Sequence, residues 1–190
     1  VHARDCDFSY SVGDGIRVSD SSNVTVSGSI AIGCGGRGLN TFGNARVNAH
    51  SITVKNCNEE GIFVSSNSSV DIGNALVENN GGESEVLANY GGVITASSSN
   101  VVTSNIAYRA MNGGKISGTK LNADNSLIGY SCFGGGTIEI GESSAIDTLS
   151  KGVQVSTTSK FSAYSSNFSG AVNNGVHVFR GSEASLYDCD

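Results

Sequence analysis

A glycine–apolar–x–apolar signature returns about every 23 residues from one end of this chain to the other. It reads Gly15-Ile16-Arg17-Val18, Gly38-Leu39-Asn40-Thr41, Gly61-Ile62-Phe63-Val64, Gly152-Val153-Gln154-Val155 and Gly175-Val176-His177-Val178. Steps of the same length from Gly61 reach Ser84, Ala107 and, one residue short, Gly129, and Gly152 then restores the interval. A unit this short cannot bury its own apolar face, so the stack of units folds as a whole.

Aligning the units gives columns. One place after each anchor stand Ile16, Leu39, Ile62, Glu85, Tyr108, Tyr130, Val153 and Val176; three places after, Val18, Thr41, Val64, Leu87, Ala110, Cys132, Val155 and Val178. Nine places on, the series is Val24, Val47, Val70, Val93, Ile116, Ile138, Phe161 and Ala184, with Val26, Ala49, Ile72, Thr95, Gly118, Ile140, Ala163 and Leu186 two further. A third, less regular apolar pair follows in each unit, as in Ile30/Ile32 and Ile52/Val54. Each pair is split by one residue, the mark of a strand with one buried face. The seventh column, Ser22, Ala45, Ser68, Gly91, Gly114, Gly136, Ser159 and Ser182, holds only small residues, as a tight corner common to every unit requires.

Three short strands and three turns per unit describe one rung of an all-β, single-stranded parallel β-helix, a solenoid of about eight rungs. Stacked at about 4.8 Å, the rungs make a rod roughly 40 Å long. Rungs of this length, with three unequal sides, favour the right-handed form. An immunoglobulin-like sandwich would not keep the 23-residue interval, leucine-rich repeats need a leucine ladder and an Asn column, and the calcium-binding nonapeptide motif is absent. Asp5-Cys6-Asp7 and Asp188-Cys189-Asp190 match in phase, so residues 1–190 are expected to form a single β-helical segment of a longer chain.

Charge is sparse and acidic, net −6, which argues against nucleic acid as a partner. No apolar run is long enough to insert in a membrane. The five cysteines form no C-x-x-C pair; Cys34 and Cys57 should stack on neighbouring rungs, near enough for a disulfide yet equally suited to packing as buried free thiols, the reading preferred here. His2, His50 and His177 fall in different columns and no phosphate-cradling loop is present, so no metal site and no cofactor are expected.

Function must lie on outward positions. Between the first two apolar columns the outward row is Arg17, Asn40, Phe63, Val86, Arg109, Ser131, Gln154 and His177, and beyond it run Ser19, Phe42, Ser65, Ala88, Met111, Phe133, Ser156 and Phe179. Arg17, Phe42, Phe63, Arg109, Phe133, His177 and Phe179 are therefore candidates for glycan contact or for a subunit interface, both of which use aromatic planes beside polar groups. The residue before each anchor gives a charged row, Asp14, Arg37, Glu60, Glu83, Ile106, Ile128, Lys151 and Asn174. Glu60 and Glu83 would sit one rung apart, and paired carboxylates serve glycoside hydrolysis; a solvated turn is the plainer reading of the same residues. Glu85 breaks an apolar column: either a one-residue bulge brings Val86 inward and moves Glu85 into the turn, the reading preferred here for the irregular stretch Gly81-Gly82-Glu83-Ser84-Glu85, or a carboxylate is buried.

The Gly–apolar–x–Val rungs, the Ser/Gly corner and stretches such as Tyr90-Gly91-Gly92-Val93 and Ala171-Val172-Asn173-Asn174-Gly175-Val176-His177-Val178 resemble the β-helix of bacteriophage tailspikes and tail fibres. The resemblance implies a homotrimeric, receptor-binding protein of the virion tail that recognises host cell-surface polysaccharide and in many cases cleaves it. Asn-Thr-Asp, Gly-His-Gly and Arg-Ile-Lys, motifs of polygalacturonases, are absent, as is the arginine motif of pectate lyases. The alternatives are a polysaccharide hydrolase or lyase and an extracellular or cell-surface bacterial adhesin. If Glu60 and Glu83 are catalytic, replacing both with Gln abolishes release of reducing ends from a cleaved polysaccharide; unchanged turnover removes them from the chemistry.

Overall fold

The computed structural model describes residues 1–103 and 105–190, and in it the chain winds as a parallel β-helix. The first sheet stacks eight strands: Ile16–Val18, Leu39–Thr41, Ile62–Val64, Ser84–Ala88, Ile106–Met111, Ile128–Phe133, Lys151–Val155 and Asn174–Val178. The second stacks another eight, Asn23–Thr25, Arg46–Asn48, Ser69–Asp71, Val93–Ser97, Lys115–Thr119, Thr137–Gly141, Lys160–Tyr164 and Glu183–Tyr187. The third side carries four, Ile30–Ile32, Thr53–Lys55, Leu76–Glu78 and Asn100–Val102, and continues as single bridges through Asn122, Ser144 and Asn167. From the first strand of a long sheet to its eighth the chain makes seven turns.

Pairing is parallel throughout, and the partners are the columns of the repeat: Ile16 with Leu39, Leu39 with Ile62, Val24 with Val47, and Val47 with Val70. Like residues therefore stack inside. Leu39, Ile62, Val86, Tyr108, Tyr130 and Val153 form one fully buried ladder. Where the third side shrinks to single bridges, larger rings take up the interior. Tyr108 and Tyr130 stack at 5.4 Å between centroids, and Phe168 meets Tyr130 edge-on at 6.2 Å. Their hydroxyls stay satisfied, Tyr108 donating to the Ser99 carbonyl and Tyr130 to that of Leu121. Cys34 and Cys57 are free and buried, and burial pushes the Cys57 thiol up to about 11, which keeps it protonated and inert.

Corners turn through left-handed residues. Between the first and second sheets every rung uses two in succession, among them Asp20-Ser21, Ser66-Asn67, Tyr90-Gly91 and Thr157-Thr158. The small residue that follows each pair abuts the previous rung: a Cβ at Gly114 would run into the carbonyl of Ala88, and one at Gly136 into that of Ala110. Steric exclusion by the rung before, more than backbone freedom, keeps this column small.

The interval is not constant. Ile62 pairs with Val86, a step of 24 residues, and the next two steps, to Tyr108 and Tyr130, are 22 each. The extra residue shifts the later positions of the fourth rung by one, until the short step to Tyr108 restores the alignment. Val86 replaces Glu85 in the first column and Ala88 replaces Leu87, so Leu87 takes the outward place beside Phe63 and Arg109 that the even spacing gave to Val86. By the same shift Ile94 and Ala96 point inward instead of Val93 and Thr95, Gly92 takes the corner instead of Gly91, and Asn89 instead of Ala88 joins the outer row. Ile94 is fully buried while Val93 is 37% exposed. Ile94→Ala should accordingly cost about 2–5 kcal/mol of unfolding free energy, and Val93→Ala less than about 0.5 kcal/mol; chemical denaturation of the two variants reads the difference.

Candidate functional site

Two outward faces present chemistry, and they differ in kind. On the first sheet the outward side chains engage one another. Asp14 accepts from the Arg37 backbone N–H at 2.9 Å and from Asn40 Nδ2 at 2.8 Å. Arg37 lies over the Phe63 ring, 4.1 Å from its centroid, and binds Glu60 at 2.8 Å and Glu59 at 3.2 Å. Arg17 lies over Phe42 at 4.9 Å, and Arg109 Nη1 binds Glu83 at 2.6 Å. At the far end His177 stacks on Phe179 with centroids 4.6 Å apart, while Phe133 and Met111 pair across rungs.

The structure thus gathers Arg17, Phe42, Phe63, Arg109, Phe133, His177 and Phe179 on one face, spread along it. Three buried polar atoms of its outward row, Asn40 Oδ1, Arg109 Nε and His177 Nδ1, have no hydrogen-bond partner among the described residues. A half-covered aromatic face with unmet polar atoms is suited to being covered further. Glu60 and Glu83 fall out of line, because the long fourth rung sets Ser84, not Glu83, opposite Ile106 in the row that contains Glu60. Glu60 is held by Arg37, and Glu83 by Arg109.

Glu85 occupies the anchor column, where Gly15, Gly38 and Gly61 stand in the rungs before it. A Cβ at Gly38 would strike Val54, and one at Gly61 would strike Val77 and Asn80, because side chains of the third side fill that corner. Glu85 enters this corner, at 1% exposure. Both outcomes posed by the sequence are therefore realised together: Val86 turns inward, and the carboxylate is buried within the turn instead of solvated by it. Its oxygens accept from the Asn80 backbone N–H at 2.9 Å and from Asn80 Nδ2 at 2.6 Å, and Asn80 Oδ1 accepts from the Cys57 N–H.

The second sheet presents the other face, and its outward residues are mostly short: Asn23, Thr25, Asn48, Ser69, Thr95, Ser117, Ser162 and Ser185. Between the longer side chains this leaves a groove of about 500 Å³ over the first rungs, lined by Asn23, Thr25, Arg46, Asn48, Asp71 and Thr95 among others. A smaller one of about 130 Å³ lies further along the same face, bounded by Thr137, Glu139, Lys160, Ser162, Glu183 and Ser185. Three cations (Arg46, Lys115, Lys160) balance three carboxylates (Asp71, Glu139, Glu183) on the strands of this face, although the whole chain is net −6. Each of those carboxylates is engaged by a residue of the preceding rung: Asp71 by His50 at 2.9 Å, Glu139 by Lys115 at 2.6 Å and Glu183 by Lys160 at 3.6 Å. The same order, basic residue first, holds for Arg37–Glu60, Lys55–Glu78 and Lys120–Glu142; Glu83–Arg109 reverses it.

The sequence directed attention to the first face because aromatic and charged residues stand out in a column. The grooved face was missed, since a row of Ser, Thr and Asn looks like ordinary strand exterior. The missed signal is the run of short polar residues flanking the second apolar pair. Among the described residues no group of three His, Cys, Asp or Glu side chains converges on a point, and no helix is long and apolar enough to cross a membrane.

Protonation of Glu85 supplies a test of its burial. Loss of hydration pushes its carboxyl above the usual value of 4.5, against the Asn80 and Thr103 hydrogen bonds that favour the charged form. A raised folded-state pKa means that the folded chain binds the proton more tightly, so stability declines as pH rises from about 4.5 through the folded value. Thermal midpoints measured from pH 4 upward should fall with pH relative to Glu85→Gln, in which this titration is removed.

The family profile described as "Right handed beta helix region" matches residues 1–128. Comparison with curated proteins and with solved structures returns no significant match. Beyond residue 128 both long sheets continue without a break through Asn174–Val178 and Glu183–Tyr187, so the same coil carries on past the matched stretch. The winding is right-handed, and the chain belongs to the right-handed β-helix family.

Proposed function

We propose that this chain is a polysaccharide-recognising segment of a bacteriophage tailspike or tail fibre, and that it binds host cell-surface polysaccharide on the outer face of its second sheet. One observation carries the reading: a long, shallow groove of about 500 Å³ lined by hydroxyls, amides and the opposite charges of Arg46 and Asp71, beside Val1, Val24, Val47 and Val70. Sugar hydroxyls need donors and acceptors at close intervals, and rungs repeating at about 4.8 Å supply them in register. The virion setting draws its support from the Gly–apolar–x–Val rungs and from the absence of the pectin-enzyme motifs.

The first-sheet face then serves assembly. Its half-covered phenylalanines and its unmet Asn40, Arg109 and His177 atoms suit contact with further copies in a homotrimer. Cleavage by Glu60 and Glu83 is the second reading, favoured by the partial burial of Glu60 next to Phe63, and it keeps its own test above.

Arg46→Ala combined with Asp71→Ala removes two hydrogen-bonding groups from the groove. At about 1 kcal/mol each, affinity for the bound polysaccharide should drop roughly tenfold or more, as affinity electrophoresis against bacterial surface polysaccharides measures. Affinity equal to wild type places binding elsewhere. Sedimentation of the same protein reads the assembly separately, and a clean monomer counts against the trimer.

A further inference from the structure

The second-sheet face carries a feature that neither groove requires. The third outward row of this sheet includes His50, Gly73, Ser97, Thr119, Gly141, Tyr164 and Tyr187, with Gly141, Tyr164 and Tyr187 in register on successive strands. At Gly141 the space a side chain would fill is taken by the ring of Tyr164 from the next rung: its Cζ, Cε1 and hydroxyl fall where a Cβ would stand. Tyr164 remains 48% exposed, so the ring is anchored against the sheet at its tip and open to solvent over the rest. At the other end of the face, His50 leans in the opposite sense over Gly73, with Cε1 and Nδ1 at 2.8 and 2.9 Å from a Cβ placed there, and Nε2 binds Asp71. Each ring stands two residues along the chain from a groove-lining residue, Tyr164 after Ser162 and His50 after Asn48, and is laid across a glycine of the neighbouring rung.

Gly141 closes the strand Thr137–Gly141, where a Cβ would normally project, whereas Gly73 lies in the turn that follows Ser69–Asp71. Neither has a left-handed backbone. Glycine at 141 leaves a seat for the ring, and the seat fixes the ring's position without burying it. An exposed tyrosine on a flat sheet ordinarily keeps its rotamer freedom and pays for ordering when a ligand arrives. Tyr164 has been ordered in advance.

We infer that Tyr164, seated on Gly141 and continued by Tyr187, is a sugar-stacking platform forming a second subsite, and that a neutral polysaccharide lies along the coil axis across both grooves. The inference rests on the glycan reading above and adds to it the direction, the minimum length and the charge class of the ligand. Direction follows from placement: the grooves lie on one face, separated along the axis by the strand Lys115–Thr119. From Asp71 to Glu139 is three rungs, about 14 Å, so a chain must cross the rungs to reach both. Neutrality follows from the count of charges on the strands of this face, Arg46, Lys115 and Lys160 against Asp71, Glu139 and Glu183, which leaves no excess of either sign.

The test uses the whole chain in two stages. An array of bacterial polysaccharides, neutral and acidic, first identifies the polymer bound most tightly; size-graded oligosaccharides cut from that polymer are then titrated by calorimetry. Affinity should rise in a step once the oligosaccharide is long enough to engage both subsites, because the second contact becomes intramolecular. Tyr164→Ala should remove the step, weakening long oligosaccharides roughly fivefold and leaving the shortest ones that bind unaffected. Tyr164→Phe should retain it, since the ring face and not the hydroxyl makes the contact. Gly141→Ala provides a variant that leaves the ring's chemistry intact: the added methyl lifts the ring from its seat, and the step should shrink with the melting temperature little changed.

Three results overturn the inference while leaving glycan binding in place: affinity independent of length, a step that survives Tyr164→Ala, or preference for an acidic polymer. Binding to none of the polysaccharides overturns the glycan reading and this inference together.

Discussion

Every other feature of this protein depends on parallel hydrogen bonding between rungs that hold the same residues in the same places. One rung has no interior of its own; it gains one only when the next arrives in register and sets Ile62 on Leu39 and Val47 on Val24. Because side chains alternate across a strand, a slip of one residue would turn every inward side chain outward. The corners oppose such a slip. Gly114 and Gly136 face carbonyls of the preceding rung, and the anchor glycines face side chains of the third side, so each column accepts only its own kind of residue.

That strictness makes the fourth rung informative. Its extra residue is absorbed between Asn79 and Val86, in a turn rich in glycine, and the strands on either side remain paired. The cost is a carboxylate in a glycine position. Asn80 makes it tolerable by donating twice to Glu85 while taking the Cys57 N–H, so a buried charge-bearing group becomes part of a closed network. Two rungs of 22 residues follow, and there Tyr108 and Tyr130 fill the interior beside a third side reduced to single bridges.

Much of this was legible in the residues, because period and apolar pairing are one-dimensional signals and a solenoid is close to a one-dimensional object. The first two apolar pairs are placed correctly through Ile62 and again from Tyr108 onward, but on the third side Ala31, in register with Val54, faces inward in place of Ile30 and Ile32. Between Ile62 and Tyr108, constant spacing gives Leu87, Val93 and Thr95 inward places that belong to Ala88, Ile94 and Ala96; Glu85 in an apolar column marks the insertion and brings Val86 inward, but the column pattern does not say how far along the rung the shift persists. Nor does a column reveal which side chains lean across rungs. Arg37 reaching Phe63 and Glu60, His50 reaching Asp71, and Tyr164 folding back over Gly141 are contacts between units, set by side-chain length and by the room a neighbour leaves. The grooves are harder still to read, being made by the shortness of Thr25, Asn48, Ser69 and Thr95.

The order in which basic and acidic partners follow one another, Arg37 before Glu60, Lys55 before Glu78, Lys115 before Glu139, has an effect larger than any single pair. Parallel sheets contribute little net moment of their own, and exposed pairs add little to stability. Displacements that share one sense do sum, however, so the rod acquires an electrical axis along its length, its positive pole toward the end where the chain begins. In solution such a rod turns to follow an applied field, and its two ends are distinguishable to anything charged that approaches them.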